Sequence, residues 1–250
     1  MSKVYTYWSV NGGVGKTTLS SECAYSIAKK NKDKKVVLLD YNLVNPDTDY
    51  HLKLDNVIDM KEMYGYLESN TLTEEVLNNF LSKANKMNNL FVLSGLYDIT
   101  FFDKIVEPHF ELIIELLKHM GIDYILIDID SSVNIDATFV ALDQADRIFI
   151  VTDGMYHTVR NTNRYLEDVL SRMDIDDSKI DIIVNKFDKE LSNKEELKKL
   201  LGRQDAFFIE TNKIVPISVN KGVPFVDTEN KSTKNIIQEM NLLVDHITKL

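Results

Sequence analysis

"SVNGGVGKTT", residues 9–18, decides how the chain is read. Three glycines, Gly12, Gly13 and Gly15, precede a lysine and two threonines. Glycine adopts backbone conformations closed to other residues and leaves no side chain in the way, so successive N–H groups can turn inward around an anion. A β-branched run, "KVYTYWSV", comes before the loop and an amphipathic stretch, "TTLSSECAYSIAKK", follows it. A helix starting at the threonines aims its N-terminal dipole at the same anion. Lys16 then reaches β- and γ-phosphates, and the Thr17 hydroxyl is placed to ligate Mg²⁺. The spacing departs from G-x-x-x-x-G-K-[ST] at its first position, which is Val10 here.

Outward from the loop, short apolar runs alternate with longer helical periodicities: "KVVLLD", "NLFVLSG", "DYILIDID", "DRIFIVT", "KIDIIVNKFD" and "AFFIE" read as strands. "FFDKIVEPHFELIIELLKHM", "TVRNTNRYLEDVLSRM", "NKEELKKLL" and "TKNIIQEMNLLVDHITKL" read as helices. The pattern predicts an α/β fold, a three-layer arrangement with a mostly parallel central sheet flanked by helices. With 250 residues, 44% of them hydrophobic, the chain suits one nucleotide-binding domain over residues 1–250.

Composition removes several classes. A single cysteine, Cys23, excludes an internal disulfide framework, and its place between Leu19 and Ile27 on a helix face reads as a small buried hydrophobe. The five histidines have no metal-ligand spacing. No apolar run approaches the roughly 18 residues of a membrane-spanning helix, and no signal segment is evident, so the expected location is cytoplasmic. The net charge of −10 disfavours DNA coating by bulk electrostatics, although a local basic patch is compatible with it. The apolar face of the last helix, Ile236, Ile237, Met240, Leu243, Val244, Ile247 and Leu250, lacks the cationic flank of a membrane-surface helix and is expected on the sheet.

The loop resembles the deviant Walker A sequence, Lys-Gly-Gly-x-Gly-Lys-Thr-Thr, of the ParA/MinD superfamily, and the likeness extends through ordered landmarks over nearly the whole chain. That superfamily includes partition ATPases, division-site regulators and the CpaE/TadZ pilus-localisation proteins. "YILIDID" looks like its Walker B strand, making Asp128 the expected partner of a Mg²⁺-bound water. "KKVVLLDYN" looks like its second strand, with Asp40 beside the metal water. The resemblance implies ATP or ADP with Mg²⁺, held by Asn11, Gly12, Gly13, Val14, Gly15, Lys16, Thr17 and Thr18. It places Asn185 of "IIVNKFD" and Pro216 of "KIVPIS" around adenine, with the metal near Thr17, Asp40 and Asp128.

Two positions depart from the family. The lysine that reaches across an ATP-bound dimer is Asn11, which is shorter and uncharged. The second acid at the end of strand two is Asn42, whose amide can hold a water but not take its proton. A homodimer weakened at Asn11 and slow hydrolysis are the expectations, with Asp130, Asp47 and Asp49 as alternative carboxylates. "NKFD" also matches the guanine-reading pattern through Asn185 and Asp188, but the glycine such GTPases place three residues after the Walker B acid is Ser131. A nucleotide switch with a positioning, partition or assembly partner, a non-hydrolysing nucleotide-binding scaffold and, more weakly, a small-molecule phosphotransferase all stay open.

Overall fold

The computed structural model describes residues 2–43, 45–54, 56–84, 87–133, 135–168 and 173–250. Among these, eight strands form one sheet in the order β3-β4-β2-β5-β1-β6-β7-β8. They are β1 (Lys3–Trp8), β2 (Val36–Tyr41), β3 (Ser82–Lys83), β4 (Leu90–Leu93), β5 (Tyr124–Ile129), β6 (Arg147–Asp153), β7 (Ile180–Phe187) and β8 (Phe207–Glu210). Every pairing is parallel except the short antiparallel one between β3 and β4. All strands read from the sequence are present. β3 was not read, because two residues carry no periodicity.

The central strands are apolar on both faces because helices cover both. Val37, Leu39 and Tyr41 of β2 join Ile125, Ile127 and Ile129 of β5 in one core layer, while Val36, Leu38 and Leu126 face the other way. The first layer is closed by α5 (Glu107–His119), through Phe110, Ile113, Ile114 and Leu117, and by α6 (Asp136–Asp143). The second is closed by α1 (Lys16–Lys30) and by α10 (Lys234–Ile247), which buries Ile236, Met240, Leu243, Val244 and Ile247. Cys23 lies in that layer, fully buried. A smaller cluster joins β7 and β8 to α7 (Tyr156–Asp168) and α8 (Lys194–Leu201). The remaining helices are α2 (Thr48–Leu52), α3 (Tyr64–Glu68), α4 (Glu74–Asn78) and α9 (Ile214–Lys221).

The helix read over 101–120 starts only at Glu107, preceded by a 3-10 turn at Ile99–Phe101. Pro108 explains the shortening: without an N–H it fits the first turn of a helix and not its interior. The strand read to Val10 ends at Trp8, where the loop begins. Of the helix read over 158–173, the part at 169–172 lies outside the described residues.

Candidate functional site

Register places the chemistry. β2 and β5 run in parallel with Asp40 opposite Asp128, and both residues have the parity of the α1 face. β1 lies on the other side of β5, so the loop at its end emerges beside Asp128 and turns straight into α1. Gly15 closes that loop at φ +98°, and no side chain caps the helix start, leaving its first N–H groups free for an anion.

Thr17 Oγ1 donates to Asp128 Oδ2 at 2.7 Å. The other oxygen, Asp128 Oδ1, is buried with no hydrogen-bond partner. Burial raises the Asp128 carboxyl to about 6, against the opposing pull of the Thr17 bond, the Lys16 charge and the nearby Ser20 hydroxyl. Burial and then the neighbouring Asp128 charge also push Asp40 well above the carboxylate range. Asp40 nevertheless has its oxygens occupied: Oδ2 accepts from the N–H groups of Asp47 and Thr48 at 3.0 Å and from the Thr48 hydroxyl at 2.9 Å, and Oδ1 from Asn42 N at 3.2 Å. Its observed work is to shape the loop after β2, which the sequence alone did not reveal.

Lys16, only 8% exposed, directs Nζ to the hydroxyls of Ser9 and Ser131, each at 3.0 Å. Burial lowers its pKa, opposed by Asp128 and Asp130. Ser9 also donates to the Asn11 carbonyl at 2.7 Å. Neither serine is legible from the sequence as a contact of Lys16, although Ser9 opens the loop stretch and Ser131 follows the Walker B strand. Asn11 Oδ1 is buried without a hydrogen-bond partner.

At the far end of the loop, Asn185 Nδ2 donates to the Val14 carbonyl at 2.8 Å and Lys186 Nζ to the Gly13 carbonyl at 2.6 Å. Lys186 stands at φ +52° on an irregularity in the β7–β8 pairing. Such a bulge re-aims one side chain, and here it delivers a cation to the phosphate loop. The Val14 side chain is in the core, so that residue offers the cavity only backbone.

A cavity of about 740 Å³ joins these parts. The loop glycines, Lys16, Thr17, Thr18, Asn42, Asn45, Asp47, Asp130 and Ser131 line its phosphate end, and Asn185, Lys186, Val215, Pro216, Val219, Asn220 and Phe225 its other end. The volume falls within the usual range for small-molecule sites. Asn42 Oδ1 accepts from Asn45 N at 3.3 Å, and Asp130 Oδ1 from Ser132 N at 2.7 Å. Asp49 does not line the cavity. Asp188 is also absent from the lining and accepts from Glu190 N in a turn. Among the described residues, no three His, Cys, Asp or Glu side chains cluster to hold a metal. A Thr hydroxyl and one carboxylate suit magnesium, which keeps several waters and takes phosphate oxygens.

A mostly parallel sheet with a glycine-lysine-threonine loop on a central strand, and an acidic strand end beside it, defines a P-loop nucleotide-binding protein. The chain belongs to the AAA domain family, whose model matches residues 2–182, and with it to the ParA/MinD superfamily of P-loop ATPases. It is similar to the septum site-determining protein MinD of Synechocystis sp., 29% identical over 245 residues that cover 94% of this chain and 86% of that one. A ParA family ATPase from Chlorobium tepidum has the same fold, with a TM-score of 0.85 at 20% identity over 98% of this chain and 100% of that one. So does MinD from Pyrococcus horikoshii, solved with Mg-ADP: TM-score 0.80, 19% identity, 99% of this chain and 96% of that one.

Proposed function

We propose that the protein binds Mg-ATP and Mg-ADP in this cavity as one nucleotide-binding domain, and serves in the cytoplasm as a nucleotide switch for positioning, partition or assembly localisation. The observation that carries the reading is Asp128: one oxygen bonded to Thr17, the other buried and unpartnered at the mouth of a glycine loop. A buried polar atom without a partner costs about 1–3 kcal/mol, so a ligand that satisfies it is favoured there. Magnesium, when bound, would neutralise phosphate charge, with Thr17 as direct ligand and Asp128 holding a metal water. Lys16 is held on two neutral hydroxyls, contacts that a phosphate oxygen replaces with a stronger charge-assisted one. At the base end, the turn bonding of Asp188 supports adenine over guanine. Among the described residues no helix is long and apolar enough to cross a membrane.

Slow hydrolysis belongs to the same proposal. Asn42 lines the phosphate end with an amide already engaged by Asn45 N, and Asn11 brings no charge. Losing a positioned acid costs about 10² to 10⁴ in rate, and losing a cation at the transferring phosphate about 10³ to 10⁵. Single-turnover phosphate release at saturating Mg-ATP tests this in the native chain, Asn42→Asp, Asn11→Lys and the double variant. Asp at position 42 can keep the Asn45 bond, so the loop should hold. The native rate should be close to background, rising with Asn42→Asp and further, though not additively, in the double variant. Brisk native turnover unchanged by Asn42→Asp would instead assign the chemistry to Asp130 or Asp47. A nucleotide never hydrolysed by any variant would favour a binding scaffold.

A further inference from the structure

α1 carries the phosphate loop at its N-terminus, and two turns along it presents Glu22, which is 5% exposed. A carboxylate in such a place needs donors. Its donors come from 200 residues away in sequence: the Phe225 N–H reaches Glu22 Oε1 at 2.7 Å and the Val226 N–H reaches Oε2 at 3.4 Å. These belong to a single 3-10 turn, Phe225–Asp227. Tyr25 and Lys29, three and seven residues after Glu22 on the same face of α1, both bond Asp227 at 2.6 Å. Phe225 lines the cavity, and the turn follows directly on α9, which supplies Pro216, Val219 and Asn220 to the same wall.

We propose that Glu22 is a positioning residue for the nucleotide base: it clips the Phe225–Asp227 turn to the helix that starts at the phosphates, fixing the base-side wall relative to the phosphate loop. This rests on the nucleotide reading above. Without the clip, two backbone N–H groups lose their acceptor and the wall must be ordered when the base arrives, which lowers apparent affinity for the base-bearing ligand. Contacts to the phosphates come from the glycine loop and the first turn of α1, which share no hydrogen bond with the Phe225–Asp227 turn, so they should be unaffected. Burial raises the Glu22 carboxyl to about 8, opposed by the two N–H bonds, and the nearby Asp227 charge pushes in the same direction as burial. A glutamine of the same shape keeps a carbonyl oxygen for the Phe225 N–H but would turn an NH₂ donor toward the Val226 N–H, so it preserves only the shorter of the two bonds.

The test is calorimetry of the full chain with Mg-ADP and, separately, with magnesium and inorganic tripolyphosphate. Glu22→Leu, which keeps bulk but cannot accept, should weaken ADP about tenfold or more and leave tripolyphosphate within about twofold. Glu22→Gln, which keeps the shorter bond and loses the longer one, should fall between the native chain and Glu22→Leu. Asp227→Ala, at a partly exposed position, removes the other half of the clip and should weaken ADP about threefold without affecting tripolyphosphate, so the proposal stays testable if Glu22→Leu does not fold. Unchanged ADP affinity in Glu22→Leu and Asp227→Ala, equal loss of both ligands, or a glutamine as poor as the leucine would each overturn it. A native chain that binds tripolyphosphate but not ADP would refute the nucleotide reading itself.

Discussion

Gly15→Ala tests whether the loop geometry is built as described. Gly15 has φ +98°, beyond the left-handed region that L-residues enter near +50 to +70°. Forcing alanine there costs about 1–2 kcal/mol. A Cβ would also lie 2.4 Å from Asn185 Nδ2, inside any tolerable contact. Asn185 is 9% exposed and cannot withdraw freely, so Nδ2 must leave the Val14 carbonyl, a loss of about 1–3 kcal/mol for a buried group. The sum is about 2–5 kcal/mol. Gly13 and Gly12 are internal controls: Gly13 has φ +74° but nothing within 4 Å of a Cβ, and Gly12 has neither constraint. Urea unfolding without nucleotide should therefore rank the losses Gly15→Ala, then Gly13→Ala at about 1–2 kcal/mol, then Gly12→Ala near zero. Equal losses at the three positions, or Gly15→Ala within about 0.5 kcal/mol of the native chain, would refute the reasoning.

Asp128→Asn should stabilise the nucleotide-free protein at pH 7.5. The folded carboxyl is raised from 3.8 to about 6, so its contribution is complete below pH 3.8 and lost as pH rises through 6. Neutralising Asp128 also removes the charge that raises Asp40, so both buried carboxyls contribute in the same direction. Thermal melts should show the gain at pH 7.5 and little at pH 4, and a destabilised variant at pH 7.5 would contradict the sign. Sedimentation in ADP and in a non-hydrolysable ATP analogue should find at most weak triphosphate-dependent pairing, strengthened by Asn11→Lys; a tight native dimer indifferent to that change would place the interface on other residues.

What the sequence disclosed follows the range of the interactions involved. Strands buried on both faces announce themselves as unbroken apolar runs, and the phosphate loop is local, so both were legible. Five-residue helices such as α2, α3 and α4 carry too little periodicity to be seen, though Thr73, whose hydroxyl accepts from Val76 N, is a readable cap for α4. α6 was missed because its eight residues bury most of their surface and show no polar stripe. The site's tertiary bonds were out of reach for a different reason. Asn185 to Val14, Lys186 to Gly13 and Glu22 to Phe225 join residues more than 170 positions apart. Asp40 shows the limit most plainly, since the strand-end acid read as a site residue also accepts four bonds that hold the loop after β2, which the sequence did not disclose.

The central claim is that a Mg-nucleotide completes the environment of Lys16, Thr17 and Asp128. Calorimetric titration of ADP with and without Mg²⁺, in the native chain and in Lys16→Ala, measures this directly. Each charge-assisted contact to phosphate contributes about 1.5–3 kcal/mol, so the native chain should bind Mg-ADP at micromolar concentration or tighter, and Lys16→Ala at least tenfold more weakly. Affinity that is the same with and without magnesium, and unchanged in Lys16→Ala, would contradict the account.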